Sequence, residues 1–433
     1  MKKREWYRLD NAAKIYPAIS SSRRGSMFSL IAKMTEEIDR DLLNEAVNII
    51  LSRFPTIDVK LTRGVFWYYL EKNSKPFYVS EVNPFFLRFI EDEENNDYLF
   101  RVNYTGKNIF LTMFHCLSDG TGAMDVFKAI IFEYLILKGY DVKSEQCVVS
   151  IDSPFTNDEA IDNFLSEYNK DAHSNKKEAN SFKTDGTNFD YDGMGIITGK
   201  VKMSELKEIC KKYGVTVTVY LTALYLYSFY QVYIRNKKEK NKLIKLLVPA
   251  NMRKWYPSKT IRNFALFIRP GFDFSKEFTF SELVESCKKQ VEEGLTKENF
   301  DNIIYGNVKL EKNFLIKIVP LSLKDFIMRK VYDNVGDNLH VANLSNLGLV
   351  TLPESVKKYV EDFSFVLGTS FSCKNHLAVV GYNDHINLTF SREFVENNVE
   401  KEFFRTLTSE GIEVIIDSNN WEARLWNIVN AVK

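Results

Sequence analysis

Phe28, Leu30, Ala32 and Met34 alternate with other residues, the period of two that predicts a half-buried β-strand. Asp39 follows as a candidate N-cap. Leu42, Leu43, Ala46, Val47, Ile50, Leu51 and Phe54 then recur at helical spacing until Pro55. Further strands are predicted at Val65–Leu70, Tyr98–Tyr104 and Asn108–His115, and a helix from about Ala123 to Lys138, closed by Gly139.

Between Asp152 and Gly193 the pattern dissolves into Asn, Asp, Lys, Ser and Glu, which predicts a connection with one short helix. The pattern restarts at Gly195–Val201. Ser204 is the expected cap of a helix ending at Tyr213-Gly214. An apolar helix is expected at Val217–Ile234 and a strand at Leu243–Pro249. Next come an apolar, basic stretch at Phe314–Val331, read as an amphipathic helix interrupted by Pro320 and assigned to ordinary packing, with transient membrane contact as the alternative, and the segment Val341–Leu349. Phe365–Ser372 and Leu377–Phe390 are read as a hairpin-like pair, followed by a helix around Val399–Glu410. Interleaved strands and helices in both halves imply an α/β (α+β) fold. Its expected parts are 1–151, a polar connection at 152–193, and 194–433.

Composition narrows the classes. The net charge of +1 on 433 residues argues against a protein that works by neutralising many phosphates, so no nucleic acid is expected. The five cysteines form no CxxC pair, which predicts neither zinc nor a disulfide framework, and a reducing cytoplasm is the simplest compartment. Val217–Ile234 is too rich in hydroxyls for a good membrane span, so no stable membrane insertion is expected. With 33 Phe and 22 Tyr, the aromatic content fits large cores and leaves room for an apolar tunnel.

Chemistry concentrates in Ile109-Phe-Leu-Thr-Met-Phe-His115-Cys-Leu-Ser-Asp119-Gly120-Thr-Gly122. An apolar strand ends in an imidazole, whose ordinary pKa of about 6.5 suits a general base. An aspartate and glycines follow, then a helix. The HxxxDG pattern arises by chance in roughly one such chain in a hundred. A Cys116–His115 dyad is disfavoured because neighbours on a strand face opposite ways. Gly120, Gly122 and Asp125 imitate a dinucleotide fingerprint, but an acid replaces its third glycine. His340, His376 and His385 lack metal-ligand spacing, so no metal is expected. Arg23-Arg24 and the Lys-rich turn at 235–242 are read as solvated surface, with CoA phosphates as the alternative.

These residues resemble the HxxxDG motif of the chloramphenicol acetyltransferase-like superfamily, which includes condensation domains and alcohol acetyltransferases. Four further segments resemble that group: the opening Arg8-Leu-Asp-Asn-Ala-Ala-Lys-Ile-Tyr-Pro, the helix pair around Gly214, Val248-Pro-Ala-Asn251-Met-Arg253, and Asn343-Leu-Ser345-Asn346-Leu-Gly348. The resemblance implies two subdomains, each a mixed sheet flanked by helices, with an active-site tunnel between them. It implies that His115 is the general base and that Asp119, Gly120 and Arg253 are structural, Asp119 pairing with Arg253. Ser345, Asn346 and Asn251 would line the tunnel, and a turn-shaping role for Asn346 and Gly348 stays open. It implies no permanently bound cofactor and an acyl-CoA or phosphopantetheine thioester as donor to a small alcohol or amine. Phe114 stands where condensation domains carry a second histidine, which favours a free-standing, CoA-using enzyme. An acyl-carrier protein as partner, an amine acceptor and a catalytically silent binding member remain alternatives.

Overall fold

A computed structural model describes residues 6–21, 25–88, 95–173, 178–190, 193–235, 237, 239–332, 336, 338–369, 373–419 and 421. Among these, three sheets form. The first half builds a sheet in the order Val360–Leu367, Met27–Met34, Asn108–Phe114, Phe100–Thr105, Ser80–Glu81. The second half builds a larger mixed sheet in which Ala342–Val350 runs parallel to both Leu243–Asn251 and Asn375–Tyr382, while the remaining pairs are antiparallel. A small sheet joins Trp6–Arg8, Tyr68–Lys72 and Val59–Arg63. Helices flank the sheets, so the molecule is a mixed α/β structure.

Local chemistry sets the helix boundaries. The Asp39 carboxylate accepts from the amides of Asp41 and Leu42 and starts Arg40–Arg53, capping two of its orphan N–H groups. Asp119 does the same for Gly120–Leu137 through Gly122, and that helix ends at Gly139, whose φ of +86° suits glycine. The largely apolar helix Val217–Phe229, capped by Thr216, is mostly buried and runs into a π turn at Tyr230–Ile234. Ser204 is not a cap: the helix begins one residue earlier, at Met203, and ends at Lys212.

Two expectations about strands change. The residues expected as strand Val65–Leu70 split: Tyr68–Lys72 pairs, while Val65 and Phe66 stand exposed at the tip of its hairpin. The second-half hairpin is Asn375–Tyr382 with His385–Arg392. Val360–Leu367 instead crosses to the other sheet and pairs antiparallel with Met27–Met34. Its apolar residues find a ready partner in the otherwise bare edge of that strand. Asp362 ties the crossing strand back to the larger sheet through Lys200 at 2.7 Å and Asn387 at 2.9 Å.

The polar connection is pinned rather than free. Its short helices are Asn157–Ala160 and Asn163–Ser166. Buried Glu159 takes a bidentate pair from Arg53 at 2.8 and 3.2 Å, a charge-assisted geometry with strong directionality. The backbone carbonyl of Glu159 accepts from Ile261 N–H at 3.1 Å. The loop 260–264 is thereby fixed, and that loop reaches the histidine.

Candidate active site

His115 follows the last residue of the strand Asn108–Phe114, and its amide donates to the Ser26 carbonyl at 2.9 Å. The residue as a whole is half-buried. Tyr16 stacks on it at 4.6 Å between centroids, and Phe28 meets it edge-on at 5.3 Å. Nδ1 lies 2.9 Å from Oδ1 of Asn263. An amide oxygen only accepts, so Nδ1 carries the proton in the neutral ring and Nε2 is left with its lone pair. Asn263 Nδ2 donates to the His115 carbonyl at 3.0 Å and is 3.4 Å from the Asp10 carboxylate. Burial pulls the pKa of His115 below its ordinary value, against the smaller upward pull of Asp119 and the Asn263 hydrogen bond, which favours the neutral form a base needs.

The rest of the motif braces that ring. Asp119 is buried and its Oδ2 meets Arg253 Nη1 at 2.8 Å and Phe264 N–H at 2.8 Å, while Oδ1 takes Gly122 N–H at 2.9 Å. Arg253 also reaches the carbonyls of Thr260 at 2.8 Å and Arg262 at 2.9 Å. A Cβ on Gly122 would sit 2.0 Å from the Ile261 carbonyl oxygen, so only glycine allows the 260–264 loop to close on the motif. The Ser118 hydroxyl donates to the same carbonyl. The same crowding leaves no space for a pyrophosphate at Gly120–Gly122, where the cap position is already filled by Asp119.

Asn251 spends both ends of its amide on this brace, accepting from Arg253 and donating to Thr121 at 3.2 Å. Asn346 donates to Thr218 of the buried helix at 3.0 Å and accepts from Gly348 N–H at 2.8 Å, where φ is +78°. It shapes the irregular turn between Asn346 and Leu349. Leu347 packs against Gly120 and so brings this strand to the motif. Ser345, two residues earlier on extended backbone, projects from the same face as Leu347. Sequence reasoning missed Asn263 and gave no role to Asp10 or Tyr16. Asn263 carries no local signal, whereas Asp10 and Tyr16 lie in the opening segment already singled out.

Other candidates fall away. The Cys116 thiol is buried and its pKa is pushed up by burial, the opposite of an activated nucleophile. All five cysteines are free. Among the described residues no group of three or more His, Cys, Asp or Glu is arranged to hold a metal, and no helix is long and apolar enough to cross a membrane. Arg23-Arg24 lie outside the described residues. In the 235–242 turn, Arg235, Lys237 and Lys240 are exposed. His385 is a surface residue beside Asp384.

His340 and His376 are buried. Burial pushes His376 down to about 4 and His340, which also feels Arg269, down to about 3. His376 Nδ1 accepts the amide of Asn343 at 3.1 Å, a bond only the neutral ring can make, at the base of the Ser345 strand. Both rings titrate near 6.5 when unfolded. Below that value the unfolded chain binds protons that the folded one refuses, so stability is complete above pH 6.5 and is lost as pH falls toward 4. At pH 5 the expected loss is about 2 kcal/mol per histidine. Melting temperatures at pH 7.5 and 5.0 check this, with His376→Gln expected to flatten the dependence; an equal slope in that variant contradicts the assignment.

Known proteins bear on this geometry. Residues 196–404 match the family model described as alcohol acetyltransferase. The search of curated proteins finds no match. Similar solved structures include trichothecene 15-O-acetyltransferase TRI3 from Fusarium sporotrichioides, with 10% identity, 94% of each chain covered and a TM-score of 0.60. Polyketide synthase associated protein 5 from Mycobacterium tuberculosis gives 12% identity over 93% of this chain and 98% of that one, with a TM-score of 0.57. A variant starter condensation domain of rhizomide synthetase RzmA, in complex with C8-CoA and Leu-SNAC, gives 10% identity over 95% and 98%, with a TM-score of 0.56. At such identities the likeness carries the fold, an acyltransferase- and condensation-type fold. The chain is thus similar to the alcohol acetyltransferase family over 196–404, and over nearly its whole length it has the fold of these acyltransferases and condensation domains.

Proposed function

We propose that this protein transfers an acyl group, acetyl in the simplest case, from acyl-CoA to an alcohol hydroxyl. The observation that carries the reading is the 2.9 Å contact of Asn263 Oδ1 with His115 Nδ1, which leaves the Nε2 lone pair of this half-buried residue as a base. In the proposed step the acceptor O–H gives its proton to Nε2 as its oxygen attacks the thioester carbonyl carbon. The tetrahedral oxyanion collapses and the C–S bond breaks. The departing thiolate takes the proton back from the imidazolium, giving ester and free CoA thiol. No acyl-enzyme forms and no permanently bound cofactor is required.

Ser345 is our candidate for the oxyanion donor, because it shares a face with Leu347, which touches Gly120. Asn251 and Asn346 are already committed to bracing bonds, and we assign them to shaping the site. We propose further that 1–151 and 194–433 act as two subdomains held by 152–193 and by the exchanged strand, with donor and acceptor meeting at His115. Holding two substrates in line is worth effective molarities of about 10⁵–10⁸ M, more than the base alone supplies. The neighbours described as an O-acetyltransferase and as bound to C8-CoA support donor and acceptor classes of this kind.

The test is free-thiol release from acetyl-CoA with a panel of alcohols and amines. Release that depends on an alcohol is the expected result. Release confined to amines, or to carrier-protein thioesters, displaces the alcohol and CoA assignments respectively. Silence from folded protein across the panel overturns the enzymatic reading.

A further inference from the structure

The stretch Phe314–Val331 is packed through only part of its apolar surface. Phe314–Ile318 and Leu321–Val331 are separate helices broken at Pro320. Phe314, Leu315 and Ile318 on the first, and Leu323, Phe326 and Ile327 on the second, are 47–70% exposed. A different part of the chain joins them: the Leu321 amide donates to the Val65 carbonyl at 2.9 Å, and buried Lys324 donates to the Phe66 carbonyl at 2.9 Å. Val65 and Phe66 are exposed too, so two distant segments contribute to one apolar surface. Such patches on a soluble fold mark interaction sites.

Charge identifies the occupant. Lys317, Arg329 and Lys330 are exposed on these two helices, and Lys309 and Lys312 at the end of the helix Lys297–Lys312 that leads into them. The one acid of Phe314–Val331, Asp325, meets the Tyr68 hydroxyl at 2.8 Å, and Glu311 between Lys309 and Lys312 turns to Lys14 at 2.5 Å. The outer face therefore combines large apolar side chains with cations. Lysine is depleted in protein–protein interfaces but enriched on helices that lie in the headgroup layer of membranes. We propose that this face docks on an anionic lipid bilayer, with the apolar side chains among the acyl chains and the lysines against lipid phosphates.

Docking there would bring the bilayer close to the proposed base. Helix Leu321–Val331 packs on Ile15–Ile19, with Arg329 bonded to the Ala18 carbonyl at 3.1 and 3.2 Å. That short helix carries Tyr16, the ring stacked on His115. A lipophilic acceptor dissolved in the membrane would then enter beside Tyr16. This last step rests on the acyl-transfer reading, whereas the docking itself does not.

The experiment is flotation of the full chain with phosphatidylcholine vesicles, with and without 30% phosphatidylserine, where that fraction is about the composition needed to make the surface strongly anionic. Binding is expected only with phosphatidylserine and is expected to weaken with salt. F314S/L315S/F326S and K309E/K312E/K317E should each lower the bound fraction at least about tenfold. Melting curves verify that these surface variants remain folded, and His115→Ala should float like the parent. Equal binding by the variants, or no binding to anionic vesicles, overturns the proposal. So does a self-associated parent, seen by sedimentation, that the apolar triple variant converts to monomer, because a second copy would then cover the face.

Discussion

His115→Ala lowers turnover by about two to four powers of ten, the usual contribution of a positioned general base. The loss should appear in kcat more than in KM, because the ring touches the proton in flight rather than the bulk of either substrate. The pH profile gives a second reading. A base works when deprotonated, so the rate of the parent falls on the acid side of its pKa. Burial holds that pKa below the ordinary 6.5, and the acid limb should therefore begin lower than for a solvent-exposed histidine. Melting curves at each pH separate this limb from the acid destabilisation due to His340 and His376. A folded variant that turns over at the parental rate removes His115 from the mechanism.

Asp119→Ala should cost the fold about 3 kcal/mol or more, the penalty for breaking one side of a buried ion pair. Three donors lose their acceptor together: Arg253 Nη1, Phe264 N–H and Gly122 N–H. Arg253 keeps the carbonyls of Thr260 and Arg262, which places the loss near the lower end of the range. Activity should fall as well, although Asp119 touches no substrate in the proposed step. Its bond to Phe264 anchors the residue next to Asn263, and Asn263 sets the tautomer of His115. Denaturant titration and thiol release measure the two effects, and Asp119→Asn, which can still cap Gly122, should recover part of the stability. Parental stability with parental rate contradicts the brace.

How much of this was readable follows the range of the interactions. Asp39, Asp119 and Gly139 act within one helical turn, and their roles stand in the sequence as cap and stop. The histidine motif is also local. The residue that orients its ring is 148 positions away, and no short pattern marks it. The Asp119–Arg253 pair, 134 positions apart, was accessible only through family resemblance. The strand Val360–Leu367 has the right alternation for a strand, but alternation says nothing of which sheet receives it. For Phe314–Val331 the periodicity of an amphipathic helix was visible, and the direction of its apolar face was not, because burial is a property of neighbours.

That crossing strand has an implication for how the molecule is made. Met27–Met34 is synthesised well before its outer neighbour Val360–Leu367, with most of both sheets in between. Until then the nascent first half presents a bare row of amides and carbonyls, open to mispairing with other chains. Ribosome-bound intermediates should accordingly depend on chaperone shielding, and a fragment ending before Val360 would be prone to self-association rather than a smaller version of the whole.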